Sequence, residues 1–370
     1  MIDMLFAAAT AAAPLVQTVY APPPVIITPS PVAAAREQSV AVLRPTDARC
    51  ADGALDVSAV RKPSVQLLWS RNQAAETPIL VTFRIDGNGK VLGVKREPNG
   101  YGLLPDLSPS LAASRFPSGK ARNKCSISYA REQTSIANAQ IDDLIAYSIA
   151  ATPRPPKELF DRLNPEGSDC YPRRPPVLLQ AYPEFDKIPA TAGRTDWSMV
   201  KFDIDDAGKP VTIGIHATSG NRALDKASLD AISNSRYAKG AKKGCLYPYW
   251  RAAGAVAAPE SPEAEAYRGG EGKCPAKVEW KSKPALAYPD NFRRRGVEGW
   301  AIVAFDVAPW GATGNVKLVA AEPAAEFGEA ALNVVRSATV AGSAQGYSGC
   351  FEKVSYVMNT KRPDDEVMTD

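Results

Sequence analysis

The chain has 370 residues, and at about 100 to 200 residues per domain this length predicts two or three domains. Hydrophobic residues make up 45% and charged residues 23%, which is typical of a globular protein and excludes a largely disordered or membrane-embedded chain. The net charge of +4 is spread over the whole length, so the dense basic face of a nucleic-acid-binding protein is missing and we expect no nucleic-acid partner.

The first 21 residues are predicted to be an export signal. An apolar run from Met4 to Val19 is short for a membrane span of about 20 residues, and small residues around Ala21 suit a cleavage site. Asp3 is acidic and no Lys or Arg precedes the run, so a short membrane anchor, a mis-assigned start and a cytosolic terminus remain alternatives. Residues 22–48 form a Pro-rich segment.

Six cysteines divide the rest of the chain into three units of nearly equal length. They are Cys50, Cys125, Cys170, Cys245, Cys274 and Cys350, and consecutive pairs are separated by 75, 75 and 76 positions. Six thiols allow 15 pairings, but the equal spacing favours one disulfide inside each unit. Buried free thiols and zinc ligands are the alternatives, and the lack of a CxxC pair argues against a metal site. Disulfides persist in oxidising compartments, which agrees with the predicted export signal.

Each unit repeats the same order of predicted elements. The β-hairpins are predicted over 79–94, 198–215 and 301–319, with the turn glycines Gly89, Gly208 and Gly314. The helices follow at 224–232 and 327–335, where apolar residues recur at helical spacing, and at 107–116, which contains Pro109 and is less regular. The last strands are predicted over 126–129, 246–250 and 351–358.

This repeat predicts the fold class and the domain organisation. The class is α+β, with three tandem small modules, each an antiparallel three-stranded sheet of a hairpin and a final strand, packed with helices and stapled by one disulfide. The predicted boundaries are 49–131 for the first module, 132–167 for a helix and Pro-rich linker, 168–252 for the second module, 253–272 for a flexible linker, 273–360 for the third module and 361–370 for a disordered tail. An amphipathic helix over 136–149 is expected to cap the first module.

No group of residues supports catalysis, so we expect no enzyme, metal, cofactor or small-molecule substrate. His216 is the only histidine and lies in a predicted strand, where a structural role is expected. Asp203 and its neighbours begin a calcium-like loop, but position twelve is Gly214 and not glutamate.

The motifs of units two and three resemble the TonB C-terminal domain family. Unit three has Tyr288-Pro289, Arg293–Arg295, Gly296-Val-Glu-Gly299, a strand over Trp300–Val307 and a helix over Glu326–Arg336. Unit two has Tyr182-Pro183, Val200–Ile204, Gly208-Lys209, Thr218-Ser-Gly220 and Leu224-Asp225. Unit one is the most divergent and keeps mainly the hairpin and the cysteines.

The resemblance implies a periplasmic module that receives an extended peptide by strand addition, in association with TonB-dependent transport. It places the peptide-binding edge at Phe351, Lys353, Val354, Tyr356 and Val357, and a receptor-facing surface at Arg293, Arg294 and Arg295. The implied partners are outer-membrane receptors or other envelope proteins. An energy transducer of this family needs a firm membrane helix and a long Pro-rich spacer, and neither is evident here. A soluble periplasmic adaptor or cell-wall-binding protein without energy transduction is therefore the alternative.

Overall fold

A computed structural model describes residues 38–69, 78–97, 106–150, 155–171, 173, 175–267, 273–275 and 278–358. The predicted export signal at 1–21 and the predicted tail at 361–370 lie outside these residues. Within them, no helix has the length and the apolar character needed to cross a membrane.

Three disulfides join Cys50 to Cys125, Cys170 to Cys245 and Cys274 to Cys350, which confirms the predicted pairing. We call the units that they close module 1, module 2 and module 3. Each bond spans a sequence separation of 75 or 76, and in the chain-entropy account of the unfolded state such a closure contributes about 4 kcal/mol of stability. The predicted α+β class with three disulfide-stapled modules is confirmed.

Module 1 has a larger sheet than the sequence predicts. Its elements are β1 (Gln38–Cys50), β2 (Gly53–Ala54), β3 (Gln66–Trp69), β4 (Ile79–Ile85), β5 (Val91–Glu97), α1 (Leu107–Ala112) and β6 (Arg122–Ser135). They form a 6-stranded sheet in the order β2-β1-β6-β4-β5, with β3 paired to β1. The prediction of three strands is wrong for this module because β1 begins inside the stretch assigned to the Pro-rich segment. Pro45 fits into β1 because the register shifts between Pro45 and Asp47, a place where a strand tolerates proline.

Modules 2 and 3 have the predicted three-stranded sheets, each with a small second ladder. After α2 (Ile141–Ala150) and α3 (Lys157–Leu163), module 2 consists of β7 (Val177–Leu179), β8 (Asp196–Ile204), β9 (Pro210–Thr218), α4 (Arg222–Asn234), β10 (Arg236–Tyr237) and β11 (Lys242–Arg251). After α5 (Ala264–Tyr267), module 3 consists of β12 (Trp280–Ser282), α6 (Asp290–Arg294), β13 (Gly299–Val307), β14 (Thr313–Glu322), α7 (Ala325–Ser337), β15 (Thr339–Val340) and β16 (Tyr347–Tyr356). The main sheets have the orders β11-β8-β9 and β14-β13-β16.

A phenylalanine opposite the second cysteine marks the same register in every module. The pairs are Phe83 with Cys125, Phe202 with Cys245 and Phe305 with Cys350. In each module, the cysteine strand pairs with the first strand of the hairpin. The last strands β6, β11 and β16 are therefore equivalent, although the sequence of module 1 is the most divergent.

The turn glycine of module 3 is Gly311, and the prediction of Gly314 is wrong. Gly89, Gly208 and Gly311 all have positive φ, whereas Gly314 lies inside β14. Their carbonyls accept hydrogen bonds at 2.9, 2.9 and 2.8 Å from the amides of Phe116, Tyr237 and Val340, which follow the helix of each module. The stretch from Pro309 to Gly314 contains two glycines, Gly311 and Gly314. Only the hydrogen bond from Val340, which follows the helix, shows which of them is the turn glycine.

Modules 1 and 3 share one hydrophobic core although module 2 separates them in sequence. All six residues of α1 are buried, and Pro109 is accommodated in the first turn of that helix. The shared core includes Val94, Leu107 and Leu111 of module 1 together with Ala324, Phe327 and Ala331 of module 3. The Val94 amide also donates to the Pro323 carbonyl at 2.8 Å, so backbone pairing continues across the contact.

The segments between the modules are packed against them. On α2 and α3, Leu144, Ile145 and Leu159 are buried between Val40 of β1 and Trp197 of β8, so this helix pair joins modules 1 and 2 and does more than cap module 1. The described part of the predicted flexible linker at 253–272 is hydrogen-bonded to module 3. Val256 donates to the Gly296 carbonyl at 2.8 Å and accepts from the Glu298 amide at 3.0 Å. Its Ala- and Pro-rich composition favours a chain without fixed structure, but the extended backbone at Val256 forms hydrogen bonds with module 3.

Candidate functional site

The outer edge of β16 is the candidate site for an incoming strand. β13 is the middle strand of the module 3 sheet, and β16 lies beside it at one edge. No other strand of the described residues pairs with the outer side of β16. An edge strand presents a row of backbone N–H and C=O groups, which a guest strand can satisfy.

The predicted edge residues fall on two faces of β16. Val354 and Tyr356 are buried in the core, and the Tyr356 hydroxyl donates to the Phe327 carbonyl at 3.1 Å. Burial, reinforced by the nearby Tyr288, raises the pKa of Tyr356 well above its ordinary value. These two side chains support the strand, so only their backbone groups are candidates for contact with a ligand. Their assignment as edge residues stays a prediction.

The opposite face of β16 is partly covered by the segment that precedes module 3. Phe351 contacts the Tyr267 ring, with 5.8 Å between ring centroids, and the Lys353 ammonium donates to the Ser261 hydroxyl at 3.0 Å. Beyond these contacts Ser355 is exposed, and Val357 is 63% exposed just after the strand ends. The end of β16 near Ser355 and Val357 is therefore accessible in the described structure.

In module 1 the equivalent last strand, β6, is already paired with another strand along its outer side. β1 pairs antiparallel with β6, from Ser39 opposite Ser135 to Arg49 opposite Ser126. β6 is equivalent to β16, so β1 occupies the position that a guest strand would take in module 3. The sequence contains a weak sign of this, because Val40, Val42 and Leu43 are apolar within the Pro-rich segment. Val40 and Val42 are buried together with residues of α2 and α3, whereas Leu43 belongs to the core shared by modules 1 and 3.

Module 2 has an intermediate edge. β11 is the outermost strand of its sheet, and the Asp169 amide donates to the Lys243 carbonyl at 3.2 Å near its beginning. Trp250 near the other end is 53% exposed. Only the start of the β11 edge is thus covered by the described backbone.

The three arginines proposed as a receptor-facing surface do not lie together on the surface. Arg293 is 59% exposed and pairs with Asp290 at 3.0 Å, and Arg294 is also exposed. Arg295, by contrast, is only 11% exposed and points into the junction of the modules. The guanidinium of Arg295 is already bound inside the protein, so the predicted receptor contact of Arg295 stays a prediction that this geometry does not favour.

Arg295 instead connects all three modules. Its guanidinium makes a two-pronged ion pair with Asp106, which precedes α1 in module 1. It also donates to the Lys62 carbonyl of module 1 at 2.9 Å and to the Gly193 carbonyl of module 2 at 3.1 Å. Asp106 additionally accepts from the Ser64 amide at 2.6 Å. Sequence reasoning missed this contact because Asp106 and Arg295 are far apart in the chain.

No group of His, Cys, Asp or Glu suited to a metal ion occurs among the described residues. His216 lies in β9 and is exposed. The geometry of the described residues supports strand pairing and charge contacts.

Comparison with known families identifies two segments. The model for the C-terminal domain of the Gram-negative bacterial TonB protein matches residues 181–250 and 284–347. The first match runs from the end of β7 through most of β11, and the second ends at the first residue of β16. No curated protein gives a match to the chain.

Proposed function

Residues 181–250 and 284–347 belong to the TonB C-terminal domain family, and from this premise we propose a periplasmic TonB-like protein that binds an extended peptide by strand addition. The proposed docking edge is the outer side of β16, and the proposed context is TonB-dependent transport across the outer membrane. The family is non-catalytic, so the proposed activity is binding. Outer-membrane receptors are the proposed partners.

The observation that carries the proposal is the pairing of β1 with β6. This pair runs over ten residue positions in module 1, at an edge equivalent to that of β16. It supports the view that this sheet type, built from this chain's own sequence, accepts an additional antiparallel strand. Main-chain hydrogen bonds would supply most of the affinity and side-chain contacts the specificity.

The accessible end of β16 suggests where the ligand makes its contacts. Ser355 and Val357 would pair with the guest strand through their backbones, and the exposed Val357 side chain would contact an apolar residue of the guest. Arg293 and Arg294 remain exposed in module 3 and are proposed to face an acidic receptor surface. Arg295 has no place in that surface because it is buried.

A photocrosslinking experiment tests the proposed edge. A photoreactive amino acid replaces Val357 in the full chain, and the same group replaces Val319 in a control protein. Val319 is 48% exposed and lies in β14, at the opposite edge of the same sheet. Crosslinking in cell envelopes followed by peptide mass spectrometry should recover receptor segments from the Val357 protein only.

A second candidate function is an adaptor or cell-wall-binding protein in the periplasm without energy transduction. The packing between modules favours it. Modules 1 and 3 share one core and the linker is hydrogen-bonded to module 3, an arrangement that suits a rigid scaffold better than an extensible tether. Recovery of only cell-wall fragments or second copies of the chain would favour this adaptor. Equal labelling from Val357 and Val319 would contradict strand addition at β16.

A further inference from the structure

A cleft of about 240 Å³ opens where the three modules meet. Its lining contains small apolar residues from every module and from the linker: Ala112, Ala113, Ala192, Val256, Ala257 and Pro323. Such a surface suits a short apolar group and leaves no room for a large ring system. Pockets that bind small molecules combine an apolar lining with a few polar groups, and the polar groups here are charged.

Three cations line this cleft. They are Arg61, Lys90 and Arg115, all from module 1. Lys90 and Arg115 face each other in an antiparallel bridge between the hairpin turn and the end of the α1 segment. Arg61 is brought to the cleft from a separate loop, whose position is set by the bond from its amide to the buried Ser114 hydroxyl at 2.8 Å.

These cations have only weak partners of their own. Arg61 donates to the Ala192 carbonyl at 3.3 Å, Lys90 to the Ala257 and Ala258 carbonyls at 3.4 Å, and Arg115 to the Asn88 carbonyl at 3.4 Å. These lengths lie beyond the usual range of about 2.7 to 3.2 Å for a hydrogen bond. None of the three forms an ion pair with a carboxylate in the described part of the chain.

The carboxylate that lines the cleft is directed elsewhere. Glu298 accepts from the Met358 amide at 2.9 Å and from the Ala258 amide at 3.4 Å, so its oxygens bind backbone groups. The neighbouring acids Asp106 and Asp196 are paired with Arg295 and Arg194. The cleft consequently carries excess positive charge. Burial, with repulsion from Arg194 and Arg295, lowers the pKa of Arg61, although the nearby Asp196 opposes the shift.

We infer that this junction cleft binds a small carboxylate, with its oxygens between Arg61, Lys90 and Arg115 and a short apolar part against the alanine-rich lining. Charge-assisted bonds from arginine and lysine to a carboxylate are stronger than bonds to neutral carbonyls, so the anion displaces the long contacts made now. A peptide carboxyl terminus with a small last residue and a free short-chain acid both have this chemistry. The ligand touches elements of all three modules, so its binding stabilises their junction.

Two ligands of nearly the same shape, one with a carboxylate and one without, test whether binding requires the charge. The full chain is titrated by calorimetry with N-acetyl-alanyl-alanine and with the C-terminal amide of the same dipeptide. We expect saturable binding of the acid and at least a tenfold weaker response to the amide. Butyrate that binds as well as the dipeptide would identify a free short-chain acid as the ligand, whereas tighter binding of the dipeptide would identify a peptide terminus.

Matched variants separate the site from general charge. Lys90→Gln and Arg61→Gln should each weaken binding of the acid at least tenfold, whereas Lys226→Gln removes the same charge from the exposed face of α4 and should leave binding unchanged. Ala257→Phe fills the cleft without removing a charge and should also abolish binding, which covers the case in which a charge variant disturbs the fold.

Three results would overturn the inference. They are equal binding of acid and amide, no saturable binding of either, and inorganic phosphate binding as tightly as the dipeptide acid. The cleft shares no proposed contact residue with the β16 edge. Photocrosslinking from Val357 can therefore succeed or fail independently of this titration.

Discussion

Modules 1 and 3 are two versions of one fold unit that differ in what lies along the last strand. In module 1 the chain before Cys50 forms β1 and covers the edge of β6. In module 3, Tyr267 and Ser261 contact the side chains of Phe351 and Lys353, and β16 remains the outermost strand of the described sheet. The fold itself does not decide whether the edge is open. In module 1 the chain before the first cysteine covers the edge, and among the described residues of module 3 no strand does so.

The same comparison explains why the two modules have different roles in the architecture. Module 1 has an occupied edge and supplies α1, which is wholly buried against module 3. It therefore acts as the scaffold, and module 3 presents the proposed docking edge. The ion pair between Asp106 and Arg295 fixes the two modules relative to each other.

The largest effect is expected from breaking this ion pair. Arg295→Met leaves Asp106 buried without its cation and should lower the free energy of unfolding by about 3 to 5 kcal/mol. Adding Asp106→Asn, which keeps an acceptor for the Ser64 amide, should recover part of the loss. Urea unfolding measures both. The control Arg293→Met removes an exposed pair and should cost less than about 1 kcal/mol, and a similar cost for both arginines would contradict the buried contact.

Hydrogen exchange compares the two edges directly. Amides of β6 are enclosed by β4 and β1, whereas alternate amides of β16 point to the outer side. We expect these alternate β16 amides to exchange about a hundredfold faster than any central β6 amide, because exposed backbone groups exchange without opening of the fold. Uniform protection along β16 would indicate that its edge is covered. The contrast between a paired edge in module 1 and an unpaired edge in module 3 would then be wrong.

The turn of module 3 provides a test with two neighbouring glycines. Gly311 has φ +93°, and a Cβ there would lie 2.1 Å from the Val340 carbonyl oxygen, as at Gly89 in module 1, where the distance to the Phe116 oxygen is 1.9 Å. Gly311→Ala should therefore destabilise the protein by about 2 kcal/mol or more. A Cβ at Gly314 meets nothing within 4 Å, so Gly314→Ala should have little effect. Thermal unfolding of the two variants would show the reverse order if Gly314 were the turn residue.

Docking at β16 should be sensitive to charge at its accessible end. Val357→Asp adds an anion without disturbing the core and should weaken binding of a captured peptide about tenfold, or about 1.4 kcal/mol. Val319→Asp at the opposite edge is the matched control, and its affinity should equal that of the unmodified chain. Fluorescence anisotropy with the labelled peptide measures both affinities, and equal weakening by the two variants would place the ligand elsewhere.

The smallest effect is expected at Glu326, which lies at the contact of modules 1 and 3. Burial raises the pKa of this carboxyl above its ordinary value, although the Ser108 hydroxyl and Arg96 oppose the shift. The folded state thus favours the protonated form, and this contribution is present at low pH and lost as pH rises through the folded pKa. Glu326→Gln should raise the melting temperature slightly at pH 7 and lose that advantage near pH 4. The substitution Glu260→Gln on the exposed surface serves as the control for removal of one carboxylate.

The repeat, the disulfide pairing and the order of elements are all local or regularly spaced, so they could be predicted from sequence. Alternating apolar residues indicate strands, glycines indicate turns, and equal cysteine separations indicate one bridge per module. The family resemblance rests on the same local order and is confirmed for the two matched segments. The candidate edge in module 3 was located because it is the last strand of a repeated unit.

The packing of one module against another was decided only by the tertiary structure. β1 is a strand because it pairs with the edge of β6. Arg295 is largely buried because it forms an ion pair with Asp106 across the junction. Gly311 rather than Gly314 is the turn residue because its carbonyl accepts a hydrogen bond from the Val340 amide. Each outcome depends on a partner far away in the chain, and local sequence pattern carries no information about distant partners. The amino-acid sequence by itself determined what the three modules are, whereas their contacts determined which edge is occupied, which stays open and which charges meet at the junction.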